Sequence, residues 1–117
     1  MFRFEKFDVW QKSIEFADNI YAFTRSFPRE EQFGLTSQMR RASVSISSNI
    51  AEGGSRSSDK DFARFVEIAY GSLMEVVSQA SVAKRQALLA GPQFDAIYIE
   101  AERIARQLSG LRSTLNT

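Results

Sequence analysis

The stretch that decides the fold is residues 62–87, FARFVEIAYGSLMEVVSQASVAKRQA. Its apolar residues recur at alternating intervals of four and three, which makes an unbroken heptad seam. The members of this seam are Phe62, Val66, Ala69, Leu73, Val76, Ala80, Ala83 and Ala87. The spacing predicts one long helix over residues 59–90. Gly91 and Pro92 should end it, because glycine suits a left-handed position after a helix and proline resists its continuation.

Three further segments show the helical period. The first runs over residues 8–27, from a candidate N-cap at Asp8 to the residue before Pro28. The others cover residues 35–52 and 93–115. Four such segments with short connections and no convincing strand pattern predict an all-α chain. We expect an antiparallel up-down-up-down four-helix bundle that forms a single domain over residues 1–117.

The first predicted helix carries two apolar stripes instead of one. Trp10, Ile14 and Tyr21 belong to the first stripe, while Phe16 and Ile20 belong to the second. A helix that is apolar over so much of its circumference must be covered on more than one side. The third helix is also longer than its neighbours. Both features predict that copies of the chain cover each other in a homo-oligomer.

The composition excludes several function classes. The chain has 15 Lys and Arg against 14 Asp and Glu, so its net charge of +1 lacks the basic excess typical of nucleic-acid binding. It has no cysteine for a disulfide or thiolate site, and no histidine, the commonest general base and metal ligand. No apolar run reaches about 18 residues and no signal peptide is apparent. We therefore expect a cytoplasmic, non-membrane protein that is not an enzyme, with no catalytic residue, cofactor or metal.

The segment SISSNIAEGGSRSS, residues 45–58, contains the serines, glycines and arginine of a candidate phosphate site. A phosphate loop requires a preceding strand and a Gly-Lys-[Ser/Thr] sequence, and neither is present. A junction between two helices accounts for these residues better. Gly53 or Gly54 would be the C-cap of the first helix, and Ser58 the N-cap of the next. The alternative is an anion site made by Arg56, Lys60 and the free amides of that helix start.

Three other positions are predicted to have structural roles. Asn49 and Glu52 should lock the corner after the second helix by hydrogen bonding, although a catalytic Glu52 is the alternative. Gly71 lies inside the third helix, where it costs about 1 kcal/mol relative to Ala, and so suggests a close helix contact. A ridge of small residues on the second helix would let a neighbour approach closely. It consists of Ala42, Ser45, Asn49 and Gly53.

Two groups of basic residues are candidates for contact with nucleic acid or another anion. The first consists of Arg40, Arg41, Arg56, Lys60 and Arg64. We expect nearby carboxylates to pair with it, namely Glu52, Asp59, Asp61, Glu67 and Glu75. The second group lies on helices 3 and 4 and faces fewer acids. Its members are Lys84, Arg85, Arg103, Arg106 and Arg112.

The run FGLTSQMRRASVSISSNIAEGGSR, residues 33–56, resembles the signature of a bacterial family of small four-helix-bundle proteins. In that signature an Arg-Arg pair precedes Ser-Ile-x-x-Asn-Ile-Ala-Glu-Gly. The family is related to reading frames in intervening sequences of large-subunit ribosomal RNA genes, and is called ribosomal-protein-like. FDVWQKSIEFADNIY and DFARFVEIAYGSLMEV resemble its first and third helices. Ser47 stands where many relatives carry Pro, and Val77 where an acidic residue is common.

The resemblance implies a homo-oligomer, a pentamer of up-down bundles. The family is also similar to the accessory variability proteins of diversity-generating retroelements, which bind a reverse transcriptase and nucleic acid. Those proteins are basic, and this chain at +1 departs from them. We therefore expect a non-enzymatic scaffold or adaptor for a protein or ribonucleoprotein partner. The alternative is direct RNA or DNA binding through the basic residues of helices 2–3 or 3–4.

Overall fold

The computed structural model describes residues 1–115 and contains four α-helices, with no strand in that range. They are α1 (Asp8–Thr24), α2 (Leu35–Gly54), α3 (Asp59–Arg85) and α4 (Gly91–Leu115). Two 3-10 helices, Arg3–Lys6 and Arg29–Glu31, precede α1 and α2. The molecule measures 44 × 22 × 21 Å. The prediction of an all-α chain with four helices is confirmed.

The helices contact one another in ring order: α1 packs on α2, α2 on α3, α3 on α4, and α4 on α1. The backbones of the diagonal pairs, α1 with α3 and α2 with α4, do not approach closely among residues 1–115, so the α1–α2 and α3–α4 sides of the bundle lie opposite each other. All four helices contribute to one hydrophobic core. The seam on α3 is buried as predicted from Phe62 to Ala83, and Ile97, Ala101, Ile104 and Leu108 of α4 pack into the same core.

The predicted bounds of α1 were wrong at its C-terminal end, because the helix ends at Thr24 instead of residue 27. The Thr24 hydroxyl donates to the Ile20 carbonyl at 2.7 Å inside the last turn. Pro28 restricts the conformation of the residue before it, so the chain leaves the helix ahead of this proline. Asp8 is the first helical residue and not the N-cap. Its carboxylate instead accepts a hydrogen bond from Gln107 Nε2 of α4 at 2.6 Å.

The second helix extends two residues beyond the predicted end, and Gly53 and Gly54 lie inside it. Neither glycine has a positive φ, so the predicted left-handed C-cap was wrong. Gly53 is required for packing instead. A Cβ there would lie 2.7 Å from Phe65 Cβ and 2.9 Å from Phe62 Cδ1. The small-residue ridge on α2 therefore does allow close approach to α3, and Gly53 is its tightest point.

The third helix ends at Arg85, five residues before the predicted end, and Ala87 terminates it. Ala87 has a φ of 60°, the conformation usually left to glycine. The amide of Ala87 donates to the Lys84 carbonyl at 3.0 Å and that of Leu88 to the Ala83 carbonyl at 2.9 Å. This pair of bonds is a Schellman motif. The heptad position of Ala87 was therefore misleading, and its side chain is exposed.

Replacing Ala87 with glycine is expected to raise the free energy of unfolding by about 1 kcal/mol, because a left-handed L-residue is strained by about that amount. Thermal denaturation should show a rise in Tm of roughly 4 °C. Ala96→Gly is the matched control, since Ala96 is an exposed helical residue of α4. That control should lose about 1 kcal/mol. Equal losses in both variants would contradict the strain assigned to Ala87.

The fourth helix starts two residues earlier than predicted, and Gly91 and Pro92 form its first turn. Proline fits there because the first amides of a helix have no intrahelical partner. The side chain of Gln93 accepts a hydrogen bond from the Ala90 amide at 2.9 Å, which is one half of a capping box. Gly91-Pro92 therefore begins a helix instead of ending one.

Candidate functional site

The five residues of the first basic group occupy two separate places. Arg40 and Arg41 lie in the first half of α2, whereas Arg56, Lys60 and Arg64 lie around the junction of α2 and α3. Fifteen residues separate Arg41 from Arg56, which corresponds to about 22 Å along a helix axis. The structure therefore does not bring the group together as one patch.

Arg40 holds α2 against the end of α1. Its Nε donates to Thr24 Oγ1 at 3.0 Å, and Nη2 donates to the Tyr21 carbonyl at 3.4 Å. The guanidinium also lies 4.6 Å from the centroid of the Tyr21 ring. Two of its five N–H donors are thus used inside the chain. Arg41, one residue on, is exposed and has no carboxylate within 4.0 Å among residues 1–115.

The junction of α2 and α3 is built around Phe65. The Arg56 and Arg64 guanidinium groups lie 4.7 and 4.9 Å from the centroid of its ring and cover it, so Phe65 is buried at the edge of the bundle. Arg56 also pairs with Glu52 at 2.9 Å. The predicted lock by Glu52 is therefore present as an ion pair. Of the predicted pairings between the first basic group and its neighbouring acids, the described residues contain this one.

Ser58 is the N-cap of α3, as predicted. Its hydroxyl accepts a hydrogen bond from the Asp61 amide at 3.1 Å. Asp59 and Asp61 lie in the first turn, where negative charge favours the positive end of the helix dipole. Lys60 is exposed between them. The acidic side chains beside Lys60 make the α3 start a mixed-charge surface.

Arg3 is a structural residue of this junction that the sequence analysis missed. Its Nη1 donates to the Gly54 carbonyl at 3.3 Å, and its guanidinium lies 5.3 Å from the centroid of the Phe62 ring. It therefore satisfies one of the carbonyls that every helix leaves unpaired at its C-terminus. In the N-terminal arm, Phe4 packs on the bundle by an edge contact with Trp10, with the ring centroids 4.9 Å apart. No sequence signal links Arg3 to a position 51 residues away.

Asn49 joins a hydrogen-bonded chain between α2 and α3. Its Nδ2 donates to the Ser45 carbonyl at 2.8 Å and to Ser45 Oγ at 3.0 Å. Ser45 Oγ is in turn 2.9 Å from Ser72 Oγ on α3. These bonds tie Asn49 to its own helix and, through Ser45, to α3, and they do not reach the corner after α2. The close helix contact predicted at Gly71 was wrong, because a Cβ at that position would meet nothing within 4 Å.

The second basic group is spread over three locations. Lys84 lies 4.8 Å from the centroid of the Phe94 ring. Arg112 forms an ion pair with Glu67 across the α3–α4 groove. Arg103 and Arg106 line a groove between α1 and α4 that also contains Glu100. Arg85 lies next to Lys84 in the last turn of α3 and is exposed. The group does not form a single basic patch.

The fold raises the pKa of the Glu100 carboxyl. Partial burial raises its pKa above the ordinary 4.5, the nearby Glu15 carboxylate adds to the rise, and the hydrogen bond from Asn19 together with Arg103 and Lys12 opposes it. Asn19 Nδ2 donates to both of its oxygens, at 3.1 and 3.3 Å. Glu100 appeared in the sequence only as one acid facing the second basic group.

Replacing Glu100 with glutamine is expected to favour the folded state progressively as the pH rises from below 4.5 to 7. The native state binds the Glu100 proton more tightly than the unfolded chain does, so the stability linked to this proton is lost as the pH rises through the folded-state pKa. Glutamine retains an acceptor for Asn19 but does not ionise. Urea unfolding at several pH values measures the difference between the two proteins. A difference that is independent of pH would contradict the raised pKa.

Two surfaces on opposite sides of the bundle expose large apolar side chains. We define the α1–α2 surface by Tyr21, Phe33, Arg40, Arg41 and Val44, which line a groove of about 700 Å³. We define the α3–α4 surface by a groove of about 320 Å³ and an adjoining one of about 450 Å³. Its defining residues are Tyr70, Gly71, Met74, Tyr98, Glu102 and Arg112. Tyr21, Phe33, Val44, Tyr70, Met74 and Tyr98 are all exposed.

Among residues 1–115, no three Asp or Glu side chains gather in a way that could hold a metal ion. Within this part of the chain, no helix combines the length and the apolar character that crossing a bilayer demands.

Four helices packed in ring order around one core, with two apolar outer surfaces, define the chain as an all-α helical-bundle protein. The family model of the 23S rRNA-intervening sequence protein matches residues 5–110, and the chain belongs to that family. The fold is similar to the crystal structure of a protein of unknown function from the S23 ribosomal protein family of Bacteroides thetaiotaomicron. The two chains are 24% identical, with a TM-score of 0.82, over 90% of this chain and 95% of the other. No curated protein matches this chain.

Proposed function

We propose that this protein is a non-enzymatic, homo-oligomeric scaffold or adaptor in the cytoplasm, with five copies as the resemblance implies. The observation that carries the proposal is the pair of exposed apolar surfaces on opposite sides of one bundle. Surfaces of this kind on a small protein mark sites of association. The two surfaces differ from each other. If the α1–α2 surface of one copy binds the α3–α4 surface of the next, the copies form a ring when the rotation between neighbouring copies closes.

The proposed bundle is antiparallel, and the lengths of its connections support this. Residues 55–58 join α2 to α3, and residues 86–90 join α3 to α4. Such connections span at most about 14–18 Å, since each residue adds at most about 3.6 Å. Helices of 20 to 27 residues are roughly 30–40 Å long, so these connections cannot return to the opposite end of the bundle.

The non-enzymatic part of the proposal is supported by the bonds of the polar residues near the α2–α3 junction. Glu52 is bound to Arg56, and Asn49 is bound to Ser45. Glu52 therefore bonds across the end of α2, and Asn49 bonds within α2, one turn before the junction. Turnover in a hydrolase screen that is abolished by Glu52→Gln would overturn this part of the proposal.

Light scattering at micromolar concentration tests the oligomer. We expect a mass of five chains, and any closed assembly of more than two would support the ring. The mass of one chain, 13.2 kDa, would overturn the proposal.

Direct RNA or DNA binding is the second candidate function. It is favoured by Arg41 and Lys60, which are exposed and have no carboxylate within 4.0 Å among the described residues. Titration of a structured RNA at about 50 and 200 mM salt tests it, because contacts to phosphates predict a steep loss of affinity between the two. Charge-neutralising Arg41→Gln and Lys60→Gln variants should then bind more weakly. Absence of binding at the lower salt would remove this candidate.

A further inference from the structure

A polar groove of about 380 Å³ lies on the α2–α3 side of the bundle, between the two apolar surfaces. Six of its seven lining residues are polar, so its contents must be polar too. Arg41 and Ser45 line the α2 wall, and Ser72, Glu75 and Gln79 line the α3 wall. Within each helix these residues recur at intervals of three or four, which places them on one face. Arg41 also borders the α1–α2 surface.

Arg41 and Glu75 place opposite charges on the two walls of this groove. Both side chains are exposed. Among residues 1–115, no carboxylate oxygen lies within 4.0 Å of the Arg41 guanidinium, and no Lys or Arg nitrogen lies within 4.0 Å of the Glu75 carboxylate. The two side chains therefore do not form an ion pair with each other. The groove offers a cation on one wall and an anion on the other.

Ser45 and Ser72 add an unused donor to the groove. Their Oγ atoms are 2.9 Å apart, so one of the two hydroxyl hydrogens bonds between them. Ser45 Oγ also accepts from Asn49 Nδ2, which uses a lone pair and no hydrogen. The second hydroxyl hydrogen has no acceptor in the part of the chain that the structure describes. Ser72 is only 7% exposed, and buried polar groups are seldom left without a partner.

Gln79 has the opposite deficit, because it carries an unused acceptor. Its Oε1 atom is buried and has no hydrogen-bond donor among the described residues. Gln79 follows Glu75 by four residues, so the two side chains are neighbours on α3. The terminal torsion of a glutamine is soft, and the amide can turn its oxygen towards a donor in the groove. Glu75 and Gln79 thus form an acceptor wall opposite the donor Arg41.

We infer that this groove binds a small polar α-amino acid in its zwitterionic form. Arg41 and the remaining serine hydroxyl donate to the ligand carboxylate, and Glu75 and Gln79 accept from the ligand ammonium. Guanidinium–carboxylate contacts are among the strongest hydrogen bonds in proteins. The volume of the groove lies within the range of small-molecule sites, about 300–1,000 Å³. This site goes beyond the proposed scaffold and does not depend on the number of copies.

Saturation-transfer NMR of the whole chain, with L-glutamine as the probe, tests the site. We expect saturable binding. N-acetyl-L-glutamine lacks the ammonium, and the α-amide of L-glutamine lacks the carboxylate. Each should bind about 10-fold more weakly than L-glutamine, because each loses its charged hydrogen bonds.

Two variants assign the two charges to their walls. Arg41→Gln should weaken L-glutamine binding by about 10-fold and remove the difference between L-glutamine and its α-amide. Glu75→Gln should weaken binding by a similar factor and remove the difference between L-glutamine and its N-acetyl form. Each variant thus loses selectivity for one charge alone, which general damage to the bundle would not produce.

Arg85→Gln and Asp95→Asn are the matched controls, because both residues are exposed charges outside the groove. Both should bind L-glutamine as the wild type does, and circular dichroism should show the wild-type helix content in all four variants. Absence of saturable L-glutamine binding would overturn the inference, as would equal affinities for the three probes. Wild-type affinity in both Arg41→Gln and Glu75→Gln would place the binding elsewhere and overturn it as well. The mass of the oligomer is measured separately, so these outcomes leave the proposed scaffold standing.

Discussion

Phe62→Ala is expected to lower the free energy of unfolding by about 3–5 kcal/mol, the usual cost of removing a buried aromatic ring. Phe62 is 1% exposed and lies where three parts of the chain meet. Its ring is 5.6 Å from that of Phe7 and 5.3 Å from the Arg3 guanidinium, and it abuts Gly53 of α2. Because small domains are stable by only about 5–15 kcal/mol, the variant should lose a large share of its stability.

Urea denaturation at a fixed chain concentration measures this effect, and the midpoint should fall by about 2 M. Phe62→Leu keeps most of the buried volume and should cost under about 1.5 kcal/mol. Phe2→Ala is the surface control, since Phe2 is largely exposed, and it should change stability by less than about 0.5 kcal/mol. Similar losses for Phe62→Ala and Phe2→Ala would contradict the central position of Phe62.

Gly53→Ala is expected to lower the free energy of unfolding by about 1–3 kcal/mol, although alanine is the better helix former. The added methyl group would lie 2.7 Å from Phe65 Cβ and 2.9 Å from Phe62 Cδ1. The Phe65 Cβ is fixed to the α3 backbone and cannot rotate away. The two helices must therefore separate, and the packing around Phe62 is lost with them.

Gly110→Ala provides the matched control for Gly53→Ala. Gly110 is also helical, but a Cβ there meets nothing within 4 Å. Alanine should stabilise the protein at this position by up to about 1 kcal/mol through helix propensity. Thermal and urea denaturation of the two variants should thus shift in opposite directions. A shift in the same direction would show that Gly53 does not limit the α2–α3 distance.

The helix pattern was predictable where apolar spacing alone decides the structure. The predicted seam of α3 is buried from Phe62 to Ala83, because a helix can bury only residues that share one of its faces. The errors fell at helix ends. Ala87 continues the heptad but adopts a left-handed conformation, and Gly91-Pro92 resembles a helix stop but begins α4. Each of these sequences can stand inside a helix or just outside its end. The hydrogen bonds of the turn decide which of the two positions it takes.

The candidate sites were predictable to a smaller extent. Glu52 and Ser58 have partners within four residues, so sequence spacing could indicate those partners. Arg40 and Arg3 bond to residues 16 and 51 positions away. Their partners follow from the packing of whole helices, so spacing could not identify them. The first basic group appeared as one cluster because sequence proximity conceals distance along a helix.

The sequence by itself determined that the chain is all-α with four helices, that the heptad face of α3 is buried from Phe62 to Ala83, and that Ser58 is the N-cap of α3. These properties depend on interactions within a few residues, where helical geometry fixes which side chains are neighbours. Only the tertiary structure decided that Gly53 is required for close packing, that Gly71 opens onto an unfilled groove, and that Phe33 and Gly71 lie on opposite sides. The sequence predicted a helix end at Gly53 or Gly54 and a close helix contact at Gly71, whereas in the structure Gly53 faces a neighbouring helix and Gly71 faces open space.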